Sequence, residues 1–254
     1  MSNQPHGTLI PSKKLYAQSK ITHPARILFI GKSGSGKTTA AVQLFLDVLQ
    51  HQVKRLIVIC PSYWTQDIFR CLDPFTRDGL DVIETPNANT FLDIKMNVLQ
   101  NRKSAKKKGQ KPIATLLFID DLSGENIIHG GRLGGFANLA VQLRPLGISA
   151  IVIAQQATAI SPAFRDNITA VIAYPSDRKK DITLIHEEYA GDMTTAQIRS
   201  LVKFAWRGGR HDNTEWGTHF LFILVRDRTP TAYYGDYKYK ITPTSKDSKK
   251  PSNL

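Results

Sequence analysis

Cysteine is scarce in this chain: 254 residues contain two, Cys60 and Cys71. Without a recurring Cys/His spacing they outline no zinc site. Two isolated thiols fit a reducing compartment better than a disulfide-stapled secreted domain. The seven histidines show no ligand spacing either, since His186-Glu187-Glu188 lacks the second histidine of a metalloprotease helix. No apolar run approaches the roughly 20 residues that span a bilayer. The first residues, interrupted by Pro5, Gly7 and Pro11, hold no signal-peptide core. There are no internal repeats. These absences leave a soluble intracellular protein as the expectation, and a 41% hydrophobic content is enough for one buried α/β core.

Acidic residues are missing from three segments. Residues 1–26 carry Lys13, Lys14, Lys20 and Arg26 with no acid. Residues 102–111 carry Arg102, Lys103, Lys106, Lys107, Lys108 and Lys111 with no acid, and residues 238–254 carry five lysines against Asp247. Together these segments hold +14 of a net charge of +13, so the rest of the chain is −1. The excess charge lies in two ends and one internal segment, read here as a loop, around a near-neutral core. Such segments suit a polyanion, because each phosphate contact releases counterions. They also suit plain solvated ends kept soluble by lysine, and for the tail 245–254 the two readings stand level.

What is present is an alternation of apolar strands and helical stretches. Ile27–Ile30, Arg55–Cys60, Thr115–Ile119, Ile148–Ala154 and Ile168–Ala173 read as five short strands, nearly all apolar and β-branched, as burial on both faces requires. Helices are expected over Thr38–Gln50, Trp64–Cys71, Thr90–Gln100, Gly135–Leu143, Lys179–Tyr189 and Thr195–Trp206. Strands alternating with helices imply a parallel sheet with right-handed crossovers. Thr218–Arg226 and Thr231–Tyr237 read as an antiparallel hairpin turning at Arg228-Thr229-Pro230.

Between the first strand and the first helix stands Gly31-Lys32-Ser33-Gly34-Ser35-Gly36-Lys37-Thr38, a complete G-x-x-x-x-G-K-[ST] phosphate-binding loop in its strand–loop–helix context. Glycines at 31, 34 and 36 let the backbone turn so that its N–H groups face a phosphate. Ser33, Ser35 and Thr39 complete the cradle, and the helix N-terminus adds partial positive charge. Lys37 reaches the β- and γ-phosphates, and the Thr38 hydroxyl can ligate Mg²⁺. ATP and Mg²⁺ are therefore the expected ligands. The third strand ends in Asp120-Asp121. Asp120 suits the metal, through water, and Asp121 suits activation of the attacking water. Strand ends also carry Asp as a plain cap. The fourth strand ends in Gln155, placed to sense the γ-phosphate or simply to bond a neighbouring loop. Arg144 and Arg165 flank that strand; each can stabilise a transferring phosphoryl group across a subunit interface, or pair with a carboxylate on its own surface. Arg207 and Arg210, in Arg207-Gly208-Gly209-Arg210-His211, are further candidates for phosphate contact, or part of a plain connection.

In order, Gly-Lys-Ser-Gly-Ser-Gly-Lys-Thr, Leu-Leu-Phe-Ile-Asp-Asp, Leu-Arg-Pro-Leu-Gly-Ile-Ser-Ala-Ile-Val-Ile-Ala-Gln-Gln and Phe-Arg-Asp-Asn resemble the genome-packaging ATPases of poxviruses, other large DNA viruses and small icosahedral membrane-containing viruses, within the HerA–FtsK superfamily. The resemblance covers roughly residues 25–175. It implies a RecA-like P-loop NTPase core with strand order 5-1-4-3-2. It also implies a homo-oligomeric ring, a pentamer or hexamer, that threads double-stranded DNA into a preformed capsid, with portal or vertex proteins as partners. Carried over, Lys37 and Thr38 bind phosphate and Mg²⁺, Asp120 and Asp121 form the second motif, Gln155 is the sensor, and Arg144, ahead of Arg165, is the arginine acting in trans. Asp121 departs from the Glu of many superfamily members. No nuclease domain is recognisable, unlike the large terminases of tailed phages. The implied location is host cytoplasm or nucleus, or the virion. The expected organisation is a basic extension over 1–24, the ATPase domain over 25–240 and a basic disordered tail over 241–254.

Other classes fit less of the chain. A small-molecule kinase needs neither the strand-end glutamine nor the basic segments. A transporter-type ATPase places Leu-Ser-Gly before the acidic strand, whereas Leu122-Ser123-Gly124 follows it here. A viral replicative helicase and a nucleotide-gated DNA-binding assembly factor remain as alternatives.

Overall fold

The computed structural model describes residues 6–9, 20–77, 79–120, 122, 135–176, 178–190, 193–207, 219–225, 232–237 and 239–242. In chain order its strands are β1 (His6–Leu9), β2 (Arg26–Ile30), β3 (Arg55–Ile59), β4 (Val82–Ile83), β5 (Thr115–Ile119), β6 (Ile148–Ala154), β7 (Ala170–Ala173), β8 (Leu221–Leu224), β9 (Ala232–Gly235) and β10 (Tyr239–Thr242). The α-helices are α1 (Lys37–Asp47), α2 (Thr90–Lys107), α3 (Gly135–Ala140), α4 (Leu143–Leu146), α5 (Pro162–Arg165), α6 (Lys179–Tyr189) and α7 (Thr195–Trp206).

All ten strands join one sheet in the order β1-β10-β9-β8-β7-β2-β6-β5-β3-β4. Its parallel centre, β7-β2-β6-β5-β3, is the implied 5-1-4-3-2 arrangement, and β4 adds a two-residue parallel strand outside β3. The expected C-terminal hairpin is present as β8 and β9, antiparallel and laid beside β7. The sheet then continues through β10 to β1, both antiparallel.

The alternation along each central strand explains its continuous apolarity. Leu28 and Ile30 of β2 face one cluster, packed by α2 to α7 through Phe91, Phe136, Phe164, Ile185 and Leu201. Ile27 and Phe29 face the other, packed by α1 through Val42, Leu44 and Phe45, and by a 3-10 helix over Asp67–Phe75 through Phe69 and Leu72. With both faces covered, a polar residue mid-strand is desolvated unless it is hydrogen-bonded, which favours Val, Ile, Leu, Phe and Ala. Ser149 of β6 is tolerated because its hydroxyl bonds His23 and accepts from the Ala25 N–H.

Several expected boundaries are corrected. The first helix stops at Asp47, and Leu49–His51 tightens into a 3-10 turn. Trp64–Cys71 is 3-10 rather than α-helical, split into Tyr63–Thr65 and Asp67–Phe75 with Pro74 inside the second piece. Gly135–Leu143 divides into α3 and α4, and α4 contains Pro145 rather than ending before it. Pro145 falls in the first turn, where its missing N–H costs no helical bond. The largest correction concerns the basic segment 102–111. Most of it is not a loop: α2 runs on to Lys107, and residues 108–111 alone lie beyond the helix. Lys106 and Lys107 sit in its last turn, where they complement the helix dipole. Gly109, at φ 65°, then closes the helix, with the Gln110 N–H donating to the Ala105 carbonyl. The division expected at residue 240 cuts through β10, and the basic N-terminal segment supplies β1. The expected turn at 228–230 lies outside the described residues.

Candidate nucleotide site

The C-terminal ends of β2, β6, β5 and β3 are neighbours, and the loops leaving them meet over a cavity of about 340 Å³. Ser33, Gly34, Ser35, Gly36, Lys37, Thr38 and Thr39 line it from β2, Gln155 from β6, Asp120 from β5, and Gln66 from the segment after β3. Crevices at the carboxyl ends of parallel strands are where such sheets bind ligands.

Backbone conformation explains the glycines at 34 and 36. Their φ values of 73° and 88° are left-handed, and Gly36 turns directly into the first residue of α1. Gly31 meets a different demand. At φ 154°, a Cβ placed there would lie 2.6 Å from the Tyr174 Cβ. Tyr174 continues β7, buries its ring under the loop and donates its hydroxyl to the Gly36 carbonyl at 3.3 Å. Burial first, and then the nearby Asp236 carboxylate, push its phenol above the ordinary range, so it stays a neutral donor. Gly31→Ala is therefore expected to cost about 2–3 kcal/mol and to lower the thermal midpoint by roughly 5 °C or more. A melting curve unchanged by the substitution would show that Tyr174 gives way.

Lys37 is buried at 7% exposure, with its ammonium folded into the loop. It donates to the Lys32 carbonyl at 2.5 Å and reaches Ser35 Oγ at 3.5 Å. The Thr38 hydroxyl donates to Asp120 Oδ2 at 2.7 Å. Asp120 is itself buried, and its N–H donates to the Ile59 carbonyl, which pins the end of β5 to β3. A hydroxyl and a carboxylate in contact at a helix N-terminus are hard oxygen donors suited to Mg²⁺, which takes few protein ligands and keeps water and phosphate oxygens.

Residues 12–205 match the family model described as Poxvirus A32 protein, which spans most of the chain, including the phosphate loop, the acidic strand end and Gln155. The chain belongs to this A32 family. No curated protein sequence matches it. The genome packaging NTPase B204 from Sulfolobus turreted icosahedral virus 2, in complex with AMPPCP, is 15% identical with a TM-score of 0.55, covering 85% of this chain and 97% of that one. The DNA-packaging ATPase B204 from Sulfolobus turreted icosahedral virus is 16% identical with a TM-score of 0.55, covering 85% and 98%. The pCW3 conjugation coupling protein TcpA, with ATPγS, is 14% identical with a TM-score of 0.54, covering 92% of this chain and 65% of that one. At such identities the likeness is one of fold.

The remaining candidates are scattered over the A32-family fold. Gln155 lines the cavity from an exposed position at the end of β6. Asp121 and Arg210 lie outside the described residues. Arg165 does not line the cavity: its Nη1 pairs with Glu188 of α6 at 2.7 Å, with the arginine side chain 13% exposed. Its partner is thus a carboxylate of its own subunit. Arg144 is exposed on α4, before the start of β6 and so at the end of the central strands opposite the cavity. The C-terminal end of α2 comes to the same end of the strands. Arg102 Nη1 donates to the Leu146 carbonyl at 2.9 Å, tying α2 to α4, while Lys103, Lys106, Lys107, Lys108 and Lys111 are exposed. Arg207 is the half-buried C-cap of α7. Sequence reasoning missed Gln66 and Tyr174. Tyr174 was open to inference from the strand order, since the residue that continues the fifth strand must emerge beside the phosphate loop. Gln66, seven residues past the end of β3 and between two 3-10 turns, was not.

Proposed function

We propose that this A32-family protein is an ATP-driven translocase that packages double-stranded viral DNA into a preformed capsid. In this reading it hydrolyses ATP with Mg²⁺ at the subunit interfaces of a homo-oligomeric ring, a pentamer or hexamer. The observation that carries the proposal is the hydrogen bond from Thr38 to Asp120 beside the buried ammonium of Lys37. It joins the phosphate loop and the acidic strand in one cavity. Family membership supports the viral packaging role, and the packaging proteins of similar fold are described with nucleotide analogues.

The residues divide the work. Backbone N–H groups of the loop and the N-terminus of α1 receive the phosphates. Lys37 exchanges its contact with the Lys32 carbonyl for the β- and γ-phosphate oxygens. Thr38 and Asp120 hold the Mg²⁺, whose chemistry when bound is to neutralise charge on the β- and γ-oxygens. Asp121 takes the proton of the attacking water, and Gln155 senses the γ-phosphate. Arg144, at the far end of its own strands, serves the site of a neighbouring subunit. The exposed lysines from 103 to 111 contact the phosphate backbone of the duplex, with Arg207 and Arg210 as further contacts. Capsid portal or vertex proteins are the docking partners. The location is host cytoplasm or nucleus, or the virion; among the described residues no helix is long and apolar enough to cross a membrane.

The test is ATP turnover by the purified chain with and without linear duplex DNA, across a salt series. Duplex DNA is expected to raise turnover several-fold. Changing Lys103, Lys106, Lys107, Lys108 and Lys111 to Gln is expected to flatten the salt dependence of DNA binding by up to about 4 in log–log slope. Arg102 stays in place because it is bonded to α4. Turnover indifferent to DNA would contradict the motor, and strand separation of a forked duplex would favour a replicative helicase.

A further inference from the structure

Gln66 enters the cavity from the segment after β3, on the side of Asp120 away from Gln155. Its amide nitrogen donates to Ser62 Oγ at 2.6 Å, which sets the amide's orientation and leaves Oε1 as its acceptor. Among the described residues no protein group donates to that oxygen, and no hydrogen bond fixes the amide of Gln155. The Gln66 segment is itself held firmly. Its backbone carbonyl accepts from the Phe69 N–H at 3.1 Å. Tyr63, 2% exposed, stacks on Phe69 at 5.2 Å and donates its hydroxyl to Asp73 at 2.7 Å. Phe69 packs edge-on against Phe118 of β5, two residues before Asp120. One aromatic stack thus fixes the distance between Gln66 and the acidic strand end.

We infer that Gln66 orients the water that attacks the γ-phosphate. The inference rests on the reading of this cavity as an ATP hydrolysis site. An amide does not take a proton at neutral pH, so Gln66 is not the base. Its Oε1 accepts one water O–H, which turns a lone pair of the water oxygen toward phosphorus. The new P–O bond forms as the bond from phosphorus to the β–γ bridging oxygen breaks. That bond's electron pair leaves on ADP, and the water proton passes to Asp121, the base of the proposed hydrolysis site. A glutamine orients the attacking water in other phosphate-loop enzymes. Here the side chain is pre-set by Ser62, so little ordering is left to the moment of reaction.

The experiment uses the full chain and three variants, Gln66→Ala, Gln66→Glu and Ser62→Ala, with kcat and KM for ATP, affinities for ATPγS and for ADP–aluminium fluoride, and melting curves. Gln66→Ala is expected to lower kcat by about 30–100-fold with KM and ATPγS affinity within twofold, and to lose affinity for ADP–aluminium fluoride in proportion to kcat. Gln66→Glu, which keeps the acceptor, is expected to retain more turnover than Gln66→Ala. Ser62→Ala, which releases the amide, is expected to lose less than Gln66→Ala and to melt as the unchanged protein does. A kcat for Gln66→Ala within twofold of the unchanged protein would overturn the assignment. So would a raised KM at constant kcat, because Gln66 would then bind ground state and transition state alike. An unchanged protein that binds ATPγS but releases no phosphate would instead overturn the hydrolysis reading, and the role of Gln66 with it.

Discussion

Replacing Lys37 with alanine is expected to lower ATP turnover by at least about a thousand-fold, roughly 4 kcal/mol of transition-state stabilisation, while the protein still folds. The ammonium is 7% exposed and sits within the loop it serves, so its charge acts on phosphate through little intervening water. Charge accumulates on the γ-phosphoryl oxygens and the β–γ bridging oxygen during transfer, where a lysine at the end of a rigid helix turn is pre-placed. The folded state loses little by comparison. The hydrogen bond from Nζ to the Lys32 carbonyl contributes about 1 kcal/mol, and that carbonyl belongs to an exposed residue that water can reach. Phosphate release together with a melting curve separates the two effects. Turnover within tenfold of the unchanged protein would remove Lys37 from the site, whereas loss of turnover with a collapsed melting curve would point to folding instead.

The second large effect belongs to Arg144 and has a signature that no within-subunit residue can mimic. The seven residues of β6 separate Arg144, before the strand, from Gln155, after it. At about 3.3 Å per residue the strand spans roughly 20 Å, so Arg144 cannot reach the phosphates bound by its own subunit. A trans-acting arginine contributes about three to five decades of rate, and Arg144→Ala is expected to fall in that range. Mixed with Lys37→Ala protein, it is expected to regain part of the activity, because some interfaces then pair an intact Arg144 with an intact Lys37. No recovery at any mixing ratio would exclude a trans role. Arg165→Ala, in contrast, breaks the ion pair with Glu188 and is expected to act on stability.

The sequence carried most of the central sheet in readable form. The five parallel strands are buried on both faces, so their apolar runs have no other use, and the glycines of the phosphate loop answer a local backbone demand. The outer strands were harder to see. β1 and β10 pair across almost the whole chain, and β4 has two residues, so neither leaves a local pattern. The C-terminal half of α2 was misread because a run of like charges resembles a solvated loop. The buried Ala105, the helix dipole and Gly109 outweigh that repulsion. At the site, Lys37, Thr38, Asp120 and Gln155 were legible because their spacing from strand ends follows from the phosphate-loop plan. Gln66 was not, because it reaches the cavity through a 3-10 segment whose path depends on Tyr63, Phe69 and Phe118 packing together. Arg165 was legible as an arginine near a strand, but its partner, Glu188, is 23 residues further along.

Movement along duplex DNA is the central claim, and displacement of a third strand from a DNA triplex measures it directly. A linear duplex carrying a short triplex-forming oligonucleotide is mixed with the full chain and ATP, and oligonucleotide release is followed in time. Release is expected with ATP, and is expected to be absent with a non-hydrolysable analogue or with the Lys37→Ala protein. ATP hydrolysed at a DNA-stimulated rate while the third strand stays bound would contradict translocation and leave a nucleotide-gated DNA-binding protein in its place.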